Sequence, residues 1–314
     1  MKELFKPILD LQYVLCDEPL SKHTTFRIGG PADYLVMPES EQEISGIIAL
    51  CKERQIPFLV IGNGSNLLFD DKGFRGCIIQ LSERFAGIEQ GDCRCTFYAK
   101  AGTSLAKVAN YAYAGSLTGL EFASGIPGSV GGGVLMNAGA YGGELSQCVR
   151  KTKYLDLAAL RSGDSDYIKM REGDAQGFAY RHSVYQEEES VVLGAYFTLE
   201  LTDDKDAVGA RMKELNARRR EKQPLEYPSA GSAFKRPEGD FAARLIEVSG
   251  LKGLRVGDAM VSTKHSGFVV NVGKASAQDV CQLMEQVQKR VFENSGILLE
   301  PEIRMIKEDD GWNL

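Results

Sequence analysis

Between Gly115 and Gly143 the chain places ten of its 34 glycines, in the run G-S-L-T-G-L-E-F-A-S-G-I-P-G-S-V-G-G-G-V-L-M-N-A-G-A-Y-G-G. So bare a backbone, interleaved with Leu, Ile, Val and Met, can bring amide groups against a bulky phosphate-bearing ligand while its flanks stay buried. A second small polar turn, Gly62-Asn63-Gly64-Ser65-Asn66, offers another set of amides for phosphate oxygens. Neither G-x-G-x-x-G nor G-x-x-x-x-G-K-[ST] is present, so the two commonest nucleotide-binding loops do not account for these turns. The third feature is charge. Arg211–Lys264 carries 12 Lys or Arg against 7 Asp or Glu, in a chain whose formal net charge is −6. That local reversal attracts a polyanion, whereas the acidic whole argues against general nucleic-acid binding.

Periodicity shows which elements must hold these turns. Ile44, Ile47, Ile48 and Cys51 fall at helical spacing, and Pro57 then introduces a buried run, Phe58–Ile61, that leads directly into the Gly62 turn. The pattern predicts β-type runs over 76–81, 96–101 and 149–157, a helix over 104–114 and one long strand over 191–201. Asp203 and Asp204 start a helix that reaches Lys222 and is ended by Pro224. Beyond it come a polar loop over 228–237, a helix near 241–248 and a strand near 267–272. A helix capped by Ser276 and stopped by Gly296 follows, then a last strand around 298–303. The length suits two domains, which we expect to be residues 1–203 and 204–314.

Glu3, Lys6 and Asp10 interrupt any apolar signal-peptide core, and no apolar stretch is long enough to cross a bilayer. The expected location is therefore the cytoplasm, with no membrane partner and no obligate protein partner evident. Seven scattered cysteines without a C-x-x-C, and three histidines at 23, 182 and 265, lack the spacing of zinc or disulfide frameworks. Reduced structural thiols and no metal are the expectation.

Four segments, 23–33 (H-T-T-F-R-I-G-G-P-A-D), 60–68 (V-I-G-N-G-S-N-L-L), 119–132 (G-L-E-F-A-S-G-I-P-G-S-V-G-G) and 136–142 (M-N-A-G-A-Y-G), closely resemble the UDP-N-acetylenolpyruvoylglucosamine reductase (MurB) family of peptidoglycan (cell-wall) synthesis. The resemblance runs from about residue 19 to residue 304, in order. It implies an α+β chain with an FAD-binding domain of the vanillyl-alcohol-oxidase (PCMH) type, followed by a smaller α+β substrate-binding domain. The cofactor residues expected are Gly62, Asn63, Gly64, Ser65, Asn66, Gly125, Ile126, Pro127, Gly128, Ser129, Gly132, Asn137 and Gly139. Neither glycine-rich track contains a His or Cys, so the FAD is expected to be non-covalent. NADPH is the implied co-substrate, at a site overlapping that of the sugar nucleotide.

Tyr180-Arg181-His182-Ser183 resembles the family's Y-R-x-S, Gly231-Ser232-Ala233-Phe234-Lys235 its G-S-x-F-K, and Leu299-Glu300-Pro301-Glu302 its L-E-P-E. These carry catalytic roles to Arg181, Ser232 and Glu302. Taken singly they read as a surface arginine, a turn hydroxyl and a strand-end carboxylate; their joint presence in order favours catalysis. The implied reaction transfers hydride from reduced flavin to an enolpyruvyl ether. Arg181 would meet the enolate charge, Ser232 would protonate the carbon with Lys222 or Lys235 nearby, and Glu302 would stabilise the enol. Lys222, Lys252, Arg236 and His265 match substrate-binding positions, the last two standing where the family more often has Asn and Gln. A single helix between Leu201 and Lys222 leaves little room for the tyrosine-bearing loop of one family branch, which places the chain in the shorter branch. An oxygen-using oxidase on the same fold would leave Ser232, Glu302 and the basic segment unexplained. A non-catalytic UDP-sugar regulator would predict decay at those positions.

Overall fold

A computed structural model describes residues 2–311. Two sheets build the first part. A mixed sheet runs in the order Val14–Pro19, Pro31–Val36, Phe74–Gln80, Phe58–Ile61, with the last three strands parallel to one another. Its crossover helix, Glu41–Glu53, starts where Ser40 Oγ accepts the Glu43 N–H at 3.1 Å and buries Ile44, Ile47, Ile48 and Cys51. A five-stranded antiparallel sheet follows, in the order Ile168–Glu172, Val149–Asp156, Ser190–Thr198, Thr96–Lys100, Ile88–Gln90. The helix Leu105–Ala114 packs Leu105, Val108, Ala109 and Ala112 into its core beside Phe97 and Phe197.

The last part is an antiparallel sheet in the order Ser229–Ser232, Phe268–Asn271, Ala259–Val261, Arg255–Val256. Helices Ala242–Val248 and Ala277–Ser295 share its core, the longer one through Val280, Leu283, Met284, Val287 and Val291. Ser276 and a left-handed Gly296 bound that helix, as the sequence indicates.

Four expectations need correction. The loop expected over 228–237 opens with the strand Ser229–Ser232, which pairs with Phe268–Asn271. The run over 191–201 is two strands: Ser190–Thr198 stays in the five-stranded sheet, while Glu200–Leu201 pairs with Leu117–Thr118. The ladder to Thr96–Lys100 ends where Leu199 donates its N–H to Cys95 O at 2.9 Å. The run over 149–157 stops at Asp156, whose carboxylate accepts the Ala159 N–H at 3.0 Å and caps the helix Leu157–Ser162. The last strand is Arg304–Ile306 rather than 298–303, because Pro301 has no N–H to give to a ladder and makes only a single bridge to Phe234.

The two parts are interwoven. Helix Lys205–Lys222 buries Val208 and Met212 in the core of the five-stranded sheet. Phe26, Ile28 and Leu68 belong to the core of the last sheet, and Arg304–Ile306 returns to pair in parallel with Leu67–Phe69. All seven cysteines are free. Among the described residues no helix is long and apolar enough to cross a membrane, and no group of His, Cys, Asp and Glu is placed to hold a metal ion.

Candidate active site

The two glycine-rich turns meet. Gly62 lies so close to Ser129 that a Cβ on it would collide with the serine hydroxyl, and Gly64, at φ +60°, has the carbonyl of His23 where a side chain would go. Gly131 packs on Ala101, with a Cβ position 2.9 Å from the alanine methyl. Gly128 and Gly132 differ: their Cβ positions have no neighbour closer than 3.6 and 3.8 Å. These two leave backbone open to a cavity of about 620 Å³ that both turns line.

Of the thirteen cofactor candidates, eleven line this cavity: Gly62, Asn63, Gly64, Ser65, Asn66, Ile126, Pro127, Gly128, Ser129, Gly132 and Gly139. Gly125 and Asn137 stand behind its wall. A Cβ on Gly125 would sit 2.6 Å from Asn216 Oδ1 and 3.2 Å from Arg219 Cδ, so its bareness lets the helix Lys205–Lys222 dock there. Asn137 is 1% exposed and bridges two loops, accepting the Ser146 N–H at 2.9 Å and donating to Ala179 O at 3.1 Å.

Ser129 Oγ and Gln223 Oε1, both buried and both on residues of the wall, have no hydrogen-bond partner among the described residues. Buried polar atoms are ordinarily satisfied, so these call for groups supplied by a ligand. Arg219 also faces the cavity without a carboxylate partner among the described residues, and burial pushes its guanidinium pKa down. Open backbone at Gly128 and Gly132, a waiting hydroxyl and a waiting cation together fit a dinucleotide with phosphates, as FAD has. Sequence reasoning missed Arg219 and Gln223, because Arg218-Arg219-Arg220 reads as a solvated helix face.

Arg181, Ser232 and Glu302 line the same cavity. Arg181 sits in the left-handed region at φ +55°, on a turn closed by Ala179 and His182. Asn137 holds this turn through Ala179 O, Ser183 Oγ donates to Leu135 O at 2.8 Å, and Gln186 Nε2 donates to the carbonyl of Arg181 at 3.0 Å. Such over-determination is what keeps a bulky residue at a costly φ. Its Nε donates to Glu302 Oε1 at 2.6 Å and its Nη1 to Gly139 O at 3.3 Å. Glu302 reaches the arginine because Glu302 N donates to Ala233 O and Lys235 N to Glu300 O, which lays the Leu-Glu-Pro-Glu segment beside the strand ending at Ser232. Burial pushes the Glu302 carboxyl above its ordinary range; Arg181 and, more weakly, Lys235 oppose that shift.

Lys222, Lys252, Arg236 and His265 do not line the cavity itself. Three of them gather: Lys252 and Lys222 both act on the His265 ring, which burial holds below its ordinary pKa. Lys252 pairs with Glu247 at 2.7 Å, and the His265 ring meets Phe268, a cavity residue, edge-on at 5.0 Å. Arg236 lies apart over the Phe241 ring at 4.4 Å, its backbone N–H donating to Tyr180 Oη at 3.2 Å. Lys235 is tied to Glu300 at 2.5 Å, whereas Lys222 has no carboxylate partner among the described residues.

Comparison with known proteins agrees with this geometry. Residues 32–158 match the model of an FAD binding domain, and residues 223–306 that of the UDP-N-acetylenolpyruvoylglucosamine reductase C-terminal domain. A UDP-N-acetylenolpyruvoylglucosamine reductase of Agathobacter rectalis is 50% identical over 306 residues, covering 94% of each chain. That of Caldanaerobacter subterraneus subsp. tengcongensis is 46% identical over 303 residues, 96% of this chain and 97% of its own. The crystal structure of the enzyme from Thermus caldophilus superposes with a TM-score of 0.76 at 35% identity, covering 92% of this chain and 97% of that one. An α+β chain with an FAD-binding domain ahead of the reductase family's C-terminal domain, and FAD as cofactor, follow from these matches. With its two glycine turns, its Arg181–Glu302 pair and both domain matches in place, the chain belongs to the UDP-N-acetylenolpyruvoylglucosamine reductase family, a family of flavin-dependent oxidoreductases.

Proposed function

We propose that Arg181, Ser232 and Glu302 carry the reduction of UDP-N-acetylglucosamine enolpyruvate to UDP-N-acetylmuramate for peptidoglycan, with NADPH as reductant. The observation supporting this most directly is the Arg181–Glu302 contact of 2.6 Å in a cavity that Ser232 and both glycine turns also line. The Gly62–Asn66 and Ile126–Gly132 turns would hold FAD non-covalently, and the bound flavin would supply the hydride, drawn from NADPH, for the enolpyruvyl group.

The chain's own residues then manage charge and a proton. Arg181 presents a fixed fork of donors to the substrate carboxylate, and that interaction strengthens as enolate charge develops. Ser232 gives the proton to the carbon that bears this charge. A hydroxyl is a weak acid, so the positive charge of Lys222, which has no carboxylate partner among the described residues, would make the transfer easier. Glu302, buried and biased toward its protonated form, stabilises the enol and restores the proton balance. Lys222, Lys252, His265 and Arg236 hold the diphosphate and sugar. Residues 1–203 act as the flavin unit and 204–314 as the substrate unit, with the helix Lys205–Lys222 joining them. The cytoplasm, which supplies NADPH and nucleotide sugars, is where the reaction runs.

The test is anaerobic. Purified protein is reduced with NADPH, and the enolpyruvyl sugar nucleotide is added while the flavin spectrum is followed. Rapid return of the oxidised spectrum is the expected result; a flavin that stays reduced with substrate bound would sink the assignment.

A further inference from the structure

We propose that Cys93 and Cys95 form a thiol–disulfide exchange site for small disulfides, in which Cys93 attacks and Cys95 resolves. Neither residue lines the cavity, so the site stands apart from the flavin chemistry.

The backbone brings the two thiols together. The chain reverses between Ile88–Gln90 and Thr96–Lys100, and Thr96 N donates to Cys93 O at 3.1 Å, so Cys93-Arg94-Cys95-Thr96 is a hydrogen-bonded β-turn. Within that turn the two cysteine side chains hydrogen-bond to each other. The surrounding hairpin holds the turn in shape. Gln90 Nε2 donates to the carbonyls of Cys93 and Thr96 at 2.8 and 2.7 Å, and Gly91 N donates to Thr96 O at 2.9 Å. Any side chain on Gly91 would collide with the Thr96 hydroxyl, and that hydroxyl accepts the Cys93 N–H at 3.3 Å.

The two sulfurs are not equivalent. Cys93 is exposed, whereas Cys95 is half-buried against the core of the five-stranded sheet. The Cys95 thiol, and then the Thr96 hydroxyl at 3.5 Å, stabilise negative charge on the Cys93 sulfur and hold its pKa below the ordinary thiol value. The same contact pushes Cys95 up, so it keeps its proton. A thiolate is the nucleophile in disulfide exchange, so the exposed Cys93 reacts first, with a protonated partner waiting beside it. Cys51 and Cys77 supply the contrast. They also touch, but both are fully buried, and burial pushes the Cys77 thiol well up, which leaves that pair inert.

The exchange balances without a further reagent. The Cys93 thiolate attacks one sulfur of the small disulfide, the bond between its two sulfurs breaks, and a thiolate leaves. That thiolate takes the Cys95 proton, and the Cys95 sulfur then attacks Cys93 and displaces the second thiolate. Two electrons pass from the cysteine pair to the small disulfide, which ends as two thiols.

Oxidised glutathione is the probe. The holoenzyme is incubated with it, remaining thiols are blocked by alkylation, and the unfolded chain is digested with trypsin. Cleavage after Arg94 leaves Cys93 on residues 85–94 and Cys95 on residues 95–100. In the wild type these two peptides should be recovered joined by a disulfide. Cys95→Ser should stop at glutathione bound to Cys93, and Cys93→Ser should slow reaction at this turn by about tenfold or more. Glutathione that stays on Cys93 of the wild type without joining the peptides overturns the inference. So does a Cys93 that reacts no faster than the half-buried Cys16, or a Cys95 that is modified first.

Discussion

Glu302 is the residue whose environment says most about the chemistry. Burial outweighs the neighbouring arginine, so the folded chain holds this proton more firmly than the unfolded chain does. A carboxyl raised in that way contributes stability below the ordinary carboxylate range and loses it as pH rises through the folded value. The melting temperature of the wild type relative to Glu302→Gln should therefore fall as pH rises through that window, read from parallel thermal melts. A flat difference would mean the carboxyl is not raised. Ser232→Ala makes a separable prediction: flavin reduction by NADPH nearly unchanged, with turnover lower by about a hundredfold or more, as for loss of a general acid. Equal loss of both half-reactions would contradict the role. These three residues were legible because each sits in a motif. Arg219 was not, since three consecutive arginines differ by about 100° each around a helix and only packing shows which one turns inward.

At the scale of elements, the glycines divide by what their missing side chains permit. The sequence pointed to a ligand for the Gly115–Gly143 run and named Gly125, Gly128, Gly132 and Gly139 within it, yet Gly125 makes room for a helix, while Gly128 and Gly132 leave their backbone open to the cavity. Composition cannot separate these uses, because the neighbour that fills the space comes from 90 residues along the chain at Asn216 and Arg219. Gly125→Ala should push the helix Lys205–Lys222 away, costing about 1–3 kcal/mol as overpacking does and weakening FAD binding as Arg219 shifts. Gly142→Ala is the control: its φ of +88° is strained for alanine, but nothing lies within 4 Å of the Cβ position. It should cost only about 1–2 kcal/mol and leave FAD affinity alone. Denaturant midpoints and FAD titration of the apoprotein check both. The same limit explains the misplaced last strand, where an apolar run suggested pairing but Pro301 has no N–H to pair with.

The molecule as a whole works only if its two ends stay in register, since Arg181 and Glu302 lie 121 residues apart and meet across the cavity. Several links hold that register. Thr25 Oγ1 donates to Ser229 O at 2.7 Å, and Asn66 Nδ2 donates to Glu302 O at 3.1 Å. Asp71, at the end of the first sheet's loop, accepts the N–H groups of Ala277 and Gln278 at 2.8 and 3.1 Å. The first turn of the helix Ala277–Ser295 is thus capped twice, by Ser276 from its own segment and by Asp71 from the other end of the chain. A carboxylate there also meets the positive end of the helix. Asp71→Ala leaves Ser276 in place, so the helix should persist while the link between the parts is lost. The expected cost is about 1–2 kcal/mol, the range for loss of a cap, read as a lower denaturant midpoint. If Asp71 serves register as well as stability, the variant should bind FAD normally yet show a reduced rate of flavin reoxidation by substrate. An unchanged reoxidation rate at full folding would mean that Asp71 only caps a helix, and that the other links, Asn66 to Glu302 O and the return of Arg304–Ile306 to Leu67–Phe69 among them, keep Glu302 at Arg181.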